Sequence, residues 1–224
     1  MAGSNMSEGF QEVSAVHESI GAGSEAADAL AASPRLFANP VLDKLSRIHH
    51  LVPVAVYLPI IAVMVWLGLG EFSPPIVLAG VFAGYAIWTL VEYWGHRYLF
   101  HLNFPGRFGA RIHFLIHGVH HVYPNDPLRL VMPVLLSGPI QAVAYCALRL
   151  IFGAELVWPV MAGFMAGYVG YDMVHYHLHH GTPRTKLGHM LRRRHMLHHF
   201  RDQTKAFGVS TPWWDNVFGT LPQS

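Results

Sequence analysis

The chain has 224 residues, 52% of them hydrophobic and only 12% charged, with a formal net charge of +2. A soluble domain carries about twice that charged fraction, so the composition excludes an ordinary water-solvated surface and points to a membrane. The basic residues form no stripe with interleaved aromatics, which argues against a nucleic-acid partner, and the single cysteine, Cys146, excludes an internal disulfide and a cysteine-built metal site.

Residues 1–34, rich in Gly, Ser, Ala and Glu, read as a flexible tail with a short Ala-rich helical turn near 26–32. Residues 35–224 read as one membrane domain. No basic stretch precedes an apolar run in the tail, so it does not read as a secretory signal. Four apolar segments follow, at about 51–70, 76–95, 130–152 and 156–176. At 1.5 Å per residue each is long enough, as a helix, to cross the hydrocarbon. In the fourth, Gly163, Gly167 and Gly170 would let another helix approach closely.

Short turns join the first segment to the second and the third to the fourth. The expected fold is therefore all-α, an integral membrane four-helix bundle made of two helical hairpins. Of fifteen Lys and Arg, only Arg149 falls at the hairpin-turn end of the spans. The positive-inside rule then places the N-terminal segment, residues 96–129 and residues 175–224 in the cytosol, with both termini on that side of a multi-pass protein.

Histidine is the compositional outlier. Of seventeen, fourteen lie between His96 and His199, in or beside those two cytosolic regions. His96 and His101 stand five apart, about 140° on an unbroken α-helix, so the helix must end or bend there for both to meet one centre. His117, His120 and His121 are spaced i, i+3, i+4 and share a helical face, as do His195, His198 and His199. His175 and His179 share another. His113, one turn before His117, stays open as a further ligand. His49, His50, His177 and His180 read as interfacial or supporting groups, and His189 as a surface side chain.

Ten histidines at these spacings are too many for one ion, which needs three or four protein ligands, and suit two. Imidazole accepts Fe, Zn, Cu or Ni, and two redox metals can jointly bind and reduce dioxygen, a task beyond unaided side chains. Metal-bound imidazoles usually donate their other N–H to a carboxylate or carbonyl. Glu92, Asp126, Asp172 and Asp202 are available for that role.

These residues fall within longer stretches: Glu92-Tyr-Trp-Gly-His-Arg-Tyr-Leu-Phe-His101, His113-Phe-Leu-Ile-His-Gly-Val-His-His121, Pro124-Asn-Asp-Pro-Leu-Arg-Leu-Val-Met-Pro133, Gly170-Tyr-Asp-Met-Val-His-Tyr-His-Leu-His-His180, His195-Met-Leu-His-His199 and Phe207-Gly-Val-Ser-Thr-Pro-Trp-Trp-Asp-Asn-Val-Phe218. On them the chain resembles the fatty acid hydroxylase superfamily of membrane di-metal oxygenases, and within it the fatty acid 2-hydroxylases. The resemblance implies a membrane helix bundle with a cytosolic helical cap that holds the metals. It implies two iron ions, dioxygen as co-substrate, and hydroxylation at C2 of a free fatty acid or of a sphingolipid acyl chain. Zinc can occupy the same imidazoles in a purified sample.

Asn125, Arg129 and Tyr171 are candidates to hold the lipid's carboxyl or amide head. Some relatives carry a fused cytochrome b5 domain. This chain lacks its His-Pro-Gly-Gly motif, and the tail is shorter than that domain, so electrons are expected from a separate cytochrome b5-like or ferredoxin-like donor. Sterol and carotenoid hydroxylases or desaturases share the histidine order and stand as alternatives. A metal transporter or a haem electron carrier would need ligands at membrane depth, whereas these histidines sit at span ends and in loops.

Overall fold

The structure is a computed structural model that describes residues 24–101 and 105–223. The first twenty-three residues of the expected tail thus lie outside the described residues, and the described part opens on helix α1, Ser24–Leu30, about two residues earlier than expected. Among the described residues every regular element is helical.

Helix α2, Pro40–Leu45, starts as its sequence dictates. Asn39 accepts hydrogen bonds from the Val41 and Leu42 amides at 2.9 and 3.3 Å, and Pro40 supplies a preset φ at the first turn. Helices α3, Leu51–Glu71, and α4, Pro74–Trp94, are joined by a turn at Phe72-Ser73. Beyond α4 come a π-helical turn, Gly95–Phe100, helix α5, Gly106–His113, a second π-helical turn, Phe114–Gly118, and the short α6, Val119–Val122.

The long helix α7 runs from Val134 to His180 but breaks at Gly153, where φ is 84° and ψ −176°. Glycine adopts that conformation without the clash an L side chain would suffer. The chain doubles back there. The rings of Tyr145 and Trp158 are 5.6 Å apart, although thirteen residues of straight helix would separate them by about 20 Å. The Tyr168 hydroxyl likewise donates to the Met132 carbonyl at 3.5 Å. Residues 134–152 and 154–180 are two arms.

Both arms depart from the expected bounds. The first begins at Val134 rather than 130, because Pro133 holds an extended ψ of 138°. Leu130 and Val131, read as the start of a span, are 7% and 2% exposed and pack inside the protein. The second arm continues past residue 176, so the helix that forms the apolar arm also carries His175 and His179.

Helices α3 and α4 pack mainly on α7 rather than on each other. The Pro159 ring of α7 nests against Gly68 of α3 and Gly80 of α4, and a Cβ at Gly84 or Gly163 would collide with the backbone carbonyl of Val160 or Val81. Gly167 lies against the Trp88 side chain, whereas Gly170 faces open space, so the close approach expected there is not made. Tyr57, Val157, Met161 and Phe164 fill the contact. The outer faces are also apolar. Trp66, Phe82, Val143 and Leu150 are 70, 67, 71 and 88% exposed, an exterior suited to hydrocarbon on helices long enough to cross it. The chain is a membrane protein.

After α7, Thr185 caps helix α8, Lys186–Phe200, by accepting from the Gly188 amide at 3.0 Å. A loop and helix α9, Trp213–Val217, follow.

Candidate metal centre

The ten histidines singled out by spacing come together in two groups of five. His96, His101, His117, His121 and His198 form one, and His120, His175, His179, His195 and His199 the other, with the ligand nitrogens of each group within 4.8 Å of one another. The π-helical turn at Gly95–Phe100 explains how His96 and His101 meet. Its i→i+5 hydrogen bonding stacks residues five apart, which an α-helix would splay. His113 belongs to neither group and bonds to the Phe100 backbone. His50 stacks on Tyr176 at 4.0 Å. His177, His180 and His189 are exposed.

The nitrogens converge as ligands of an ion would. Two imidazoles bound at about 2.1 Å and near right angles stand about 3 Å apart. The Nε2 atoms of His117 and His121 are 2.9 Å apart, those of His101 and His198 3.1 Å, and His195 Nε2 lies 2.8 and 3.1 Å from those of His179 and His199. The Nε2 atoms of His96, His120 and His175 are buried with no protein partner. An unpaired buried polar atom costs about 1–3 kcal/mol, and a metal ion in each group would satisfy these three at once.

Charge state points the same way. Burial, with the neighbouring imidazoles adding to it, holds His117, His120, His121, His195 and His199 well below the usual histidine range. Burial, reinforced by the neighbouring His96 and His101 respectively, pushes His101 down to about 2 and His198 to about 3. Neutral imidazole is the form that binds metal.

Backbone carbonyls orient two of the rings. His96 Nδ1 donates to the Phe207 carbonyl at 2.8 Å and His198 Nδ1 to the Lys205 carbonyl at 2.6 Å, which leaves both Nε2 lone pairs free. Between those carbonyls Ala206 adopts a left-handed φ of 58°. Asp215 fixes the loop by accepting from the Phe207 and Gly208 amides at 2.9 and 3.0 Å and from Thr220 at 2.7 Å.

The four carboxylates expected to orient histidines make other bonds. Glu92 accepts from the Ser210 amide at 2.7 Å and from the Ser210 hydroxyl, pinning that same loop to α4. Asp126 accepts from the Leu128 amide and from Arg129, at 3.0 and 3.4 Å. Asp202 accepts from the amide and hydroxyl of Thr204. Asp172 is buried on α7, with one carboxylate oxygen that has no protein partner. Reasoning from side-chain spacing missed Lys205, Phe207 and Asp215, because the groups that face the histidines are main-chain carbonyls. The stretch 207–218, quoted above for its resemblance, was the available signal.

A cavity of about 430 Å³ reaches both groups. His117 lines it from the first, and His120 and His175 from the second. Most of its remaining lining is Leu, Ile, Val, Met and Phe; Arg129, Tyr171 and Asp172 are among its few polar members. Asn125 is not in the lining. Its backbone amide donates to the Leu30 carbonyl at 3.1 Å.

The family model described as fatty acid hydroxylase matches residues 81–220, a range that holds all ten histidines and the loop behind them. The chain belongs to the fatty acid hydroxylase family. It is 36% identical over 191 residues to a dihydroceramide fatty acyl 2-hydroxylase of Arabidopsis thaliana, covering 84% of this chain and 80% of that protein. To the fatty acid 2-hydroxylase of Rattus norvegicus it is 42% identical over 152 residues, 66% of this chain and 41% of the rat protein. A solved structure of full-length scs7p, with only its hydroxylase domain visible, superposes with a TM-score of 0.79 at 32% identity, covering 84% of this chain and 72% of that one. The protein is thus a membrane hydroxylase with a histidine-rich site suited to metal.

Proposed function

We propose that this hydroxylase inserts one oxygen atom from dioxygen at C2 of a lipid acyl chain, carried as a free fatty acid or as the amide of a sphingolipid. One observation carries the reading: an apolar cavity, built to take a hydrocarbon chain, ends on histidines of both groups. The names of the Arabidopsis and rat relatives specify acyl position 2.

His96, His101, His117, His121 and His198 would hold one iron ion, and His120, His175, His179, His195 and His199 the second. When bound, the pair supplies the reduction of dioxygen and the oxidation of a C–H bond, with electrons from a separate donor such as a cytochrome b5-like or ferredoxin-like protein. The protein's own part is positional. Apolar walls exclude water and hold the chain, and the Phe207 and Lys205 carbonyls keep two imidazoles in the ligating tautomer. Arg129 and Tyr171 line the same cavity and are the side chains proposed to hold the lipid's polar head. Fixing that head limits which carbon reaches the histidines, and a displacement of about 1 Å suffices to change the outcome.

The same reading makes the protein a multi-pass four-helix bundle, with α3, α4 and the two arms of α7 as its spans. Arg149, Glu71 and Glu155 mark the hairpin ends. The remaining Lys and Arg put the histidine end and both termini in the cytosol.

The test is lipid mass spectrometry of cells that express wild type beside a His120→Ala, His198→Ala double variant, which removes one histidine from each group. A 2-hydroxyacyl species gained with wild type alone is the expected result. Matching lipidomes, with both proteins present and reductant supplied, would overturn the reading. An unsaturated product would mean a desaturase.

A further inference from the structure

The segment before the first apolar helix, which carries none of the ten histidines, forms part of the cavity that reaches them. Leu36, Phe37, Leu42 and Leu45 line it together with His117, His120 and His175. The histidines are about 5% exposed or less, whereas Leu42 and Leu45 are 48 and 50% exposed. A side chain that lines a cavity and is half exposed stands at its mouth. Leu135 and Leu136 also line the cavity and are 70 and 41% exposed. They belong to the first turn of α7, so the mouth opens where an apolar helix enters the bilayer.

A single carboxylate ties this wall down. Asp43, 8% exposed, accepts from the Leu36 and Phe37 amides at 2.7 and 3.4 Å, from Arg47 at 3.0 Å and from Arg129 at 3.4 Å. Arg129, its side chain 3% exposed, also pairs with Asp126 at 3.4 Å and lines the cavity itself. Burial opposes ionisation of Asp43, but the two amides, Arg47 and Arg129 together hold its carboxyl below the ordinary range. It is therefore a carboxylate, and the ties are charge-assisted.

We propose that Leu42 and Leu45, with Leu135 and Leu136, are the portal through which an acyl chain passes from the bilayer to the histidine-lined end, and that Asp43, through Arg129, is the positioning residue that holds the portal wall. The proposal rests on the acyl-hydroxylase reading for what passes through. The ligand chemistry is a long acyl chain, whether of a free acid or of an N-acyl sphingoid amide. An open apolar mouth lets a tail longer than the cavity remain in the bilayer.

The full chain in phosphatidylcholine vesicles would be photolabelled with two probes in turn, a fatty acid and an N-acyl sphingoid amide, each with a mid-chain diazirine. Label on peptides containing 36–46 and 134–136, displaced by unlabelled lipid, is expected, and the more efficient probe names the source of the chain. Label confined to other segments would overturn the portal. Asp43→Asn should raise KM several-fold while keeping kcat, speed amide exchange at Leu36 and Phe37, and be partly rescued by Asp43→Glu. An unchanged KM with faster exchange would make Asp43 merely structural. Labelling at the portal by a wild-type protein that forms no 2-hydroxyacyl product would sink the functional reading and leave the portal standing.

Discussion

His120 and His121 are neighbours in the chain yet belong to different histidine groups, and so do His198 and His199. Adjacent residues on an α-helix point about 100° apart, so an HxxHH motif can serve two centres from one face. Its i and i+4 members go one way at 117 and 121, and again at 195 and 199, while the i+3 member goes the other. The spacing made these histidines recognisable as a set, because it acts over a single helical turn. The division between groups was not legible there, since it depends on where three other elements bring their own histidines. The orienting carbonyls were hidden for a related reason: every residue has a carbonyl, and only the fold aims those of Lys205 and Phe207. Asp215 is the side chain that fixes that aim. Asp215→Ala would leave the Phe207 and Gly208 amides unpaired in a buried site, at about 1–3 kcal/mol each. Loss of such supporting groups typically weakens metal binding by about 10–100-fold. Metal titration of the variant should show that weakening at one of two sites, the one that includes His96 and His198. Equal weakening at both, or none, would show that the loop does not orient those rings.

At the scale of elements, the apolar runs made α3 and α4 legible almost to the residue, because charges and prolines bound them. The start of α7 was misplaced for a physical reason. Leu130 and Val131 are apolar because they line the cavity wall, and hydropathy cannot tell a protein interior from a bilayer. The π-helical turns were also out of reach, since one extra residue per turn leaves no mark in composition; the 140° misfit of His96 and His101 only signalled that the helix must change. Contact between α4 and the second arm of α7 rests on backbone meeting backbone at Gly84 and Gly163, the small-residue packing that holds helices together where water exerts no drive. Gly163→Val would force the Val81 carbonyl away, an overpacking cost of about 1–3 kcal/mol or more. Its melting temperature in detergent should fall by several degrees, whereas Gly170→Ala, which faces open space, should leave it unchanged or raise it. Equal melting of Gly163→Val and wild type would contradict the packing described.

For the molecule as a whole, one arrangement joins the membrane to the chemistry. The second arm of α7, packed in one bundle with the helices that present Trp66, Val143 and Leu150 outward, carries His175 and His179 at its end, so the histidine groups sit at the edge of the apolar region. The cavity that reaches both groups has apolar walls and a mouth beside the first turn of α7. This layout suits a substrate that never leaves the bilayer and a reactive centre that an aqueous electron donor can approach. The most direct test is the mass of the product formed by purified, iron-loaded protein in vesicles with a long-chain acyl lipid and reductant under ¹⁸O₂. The account predicts one ¹⁸O atom in each product molecule, located at C2 of the acyl chain. Oxygen drawn from water, oxidation at another carbon, or no oxidised lipid at all would contradict it.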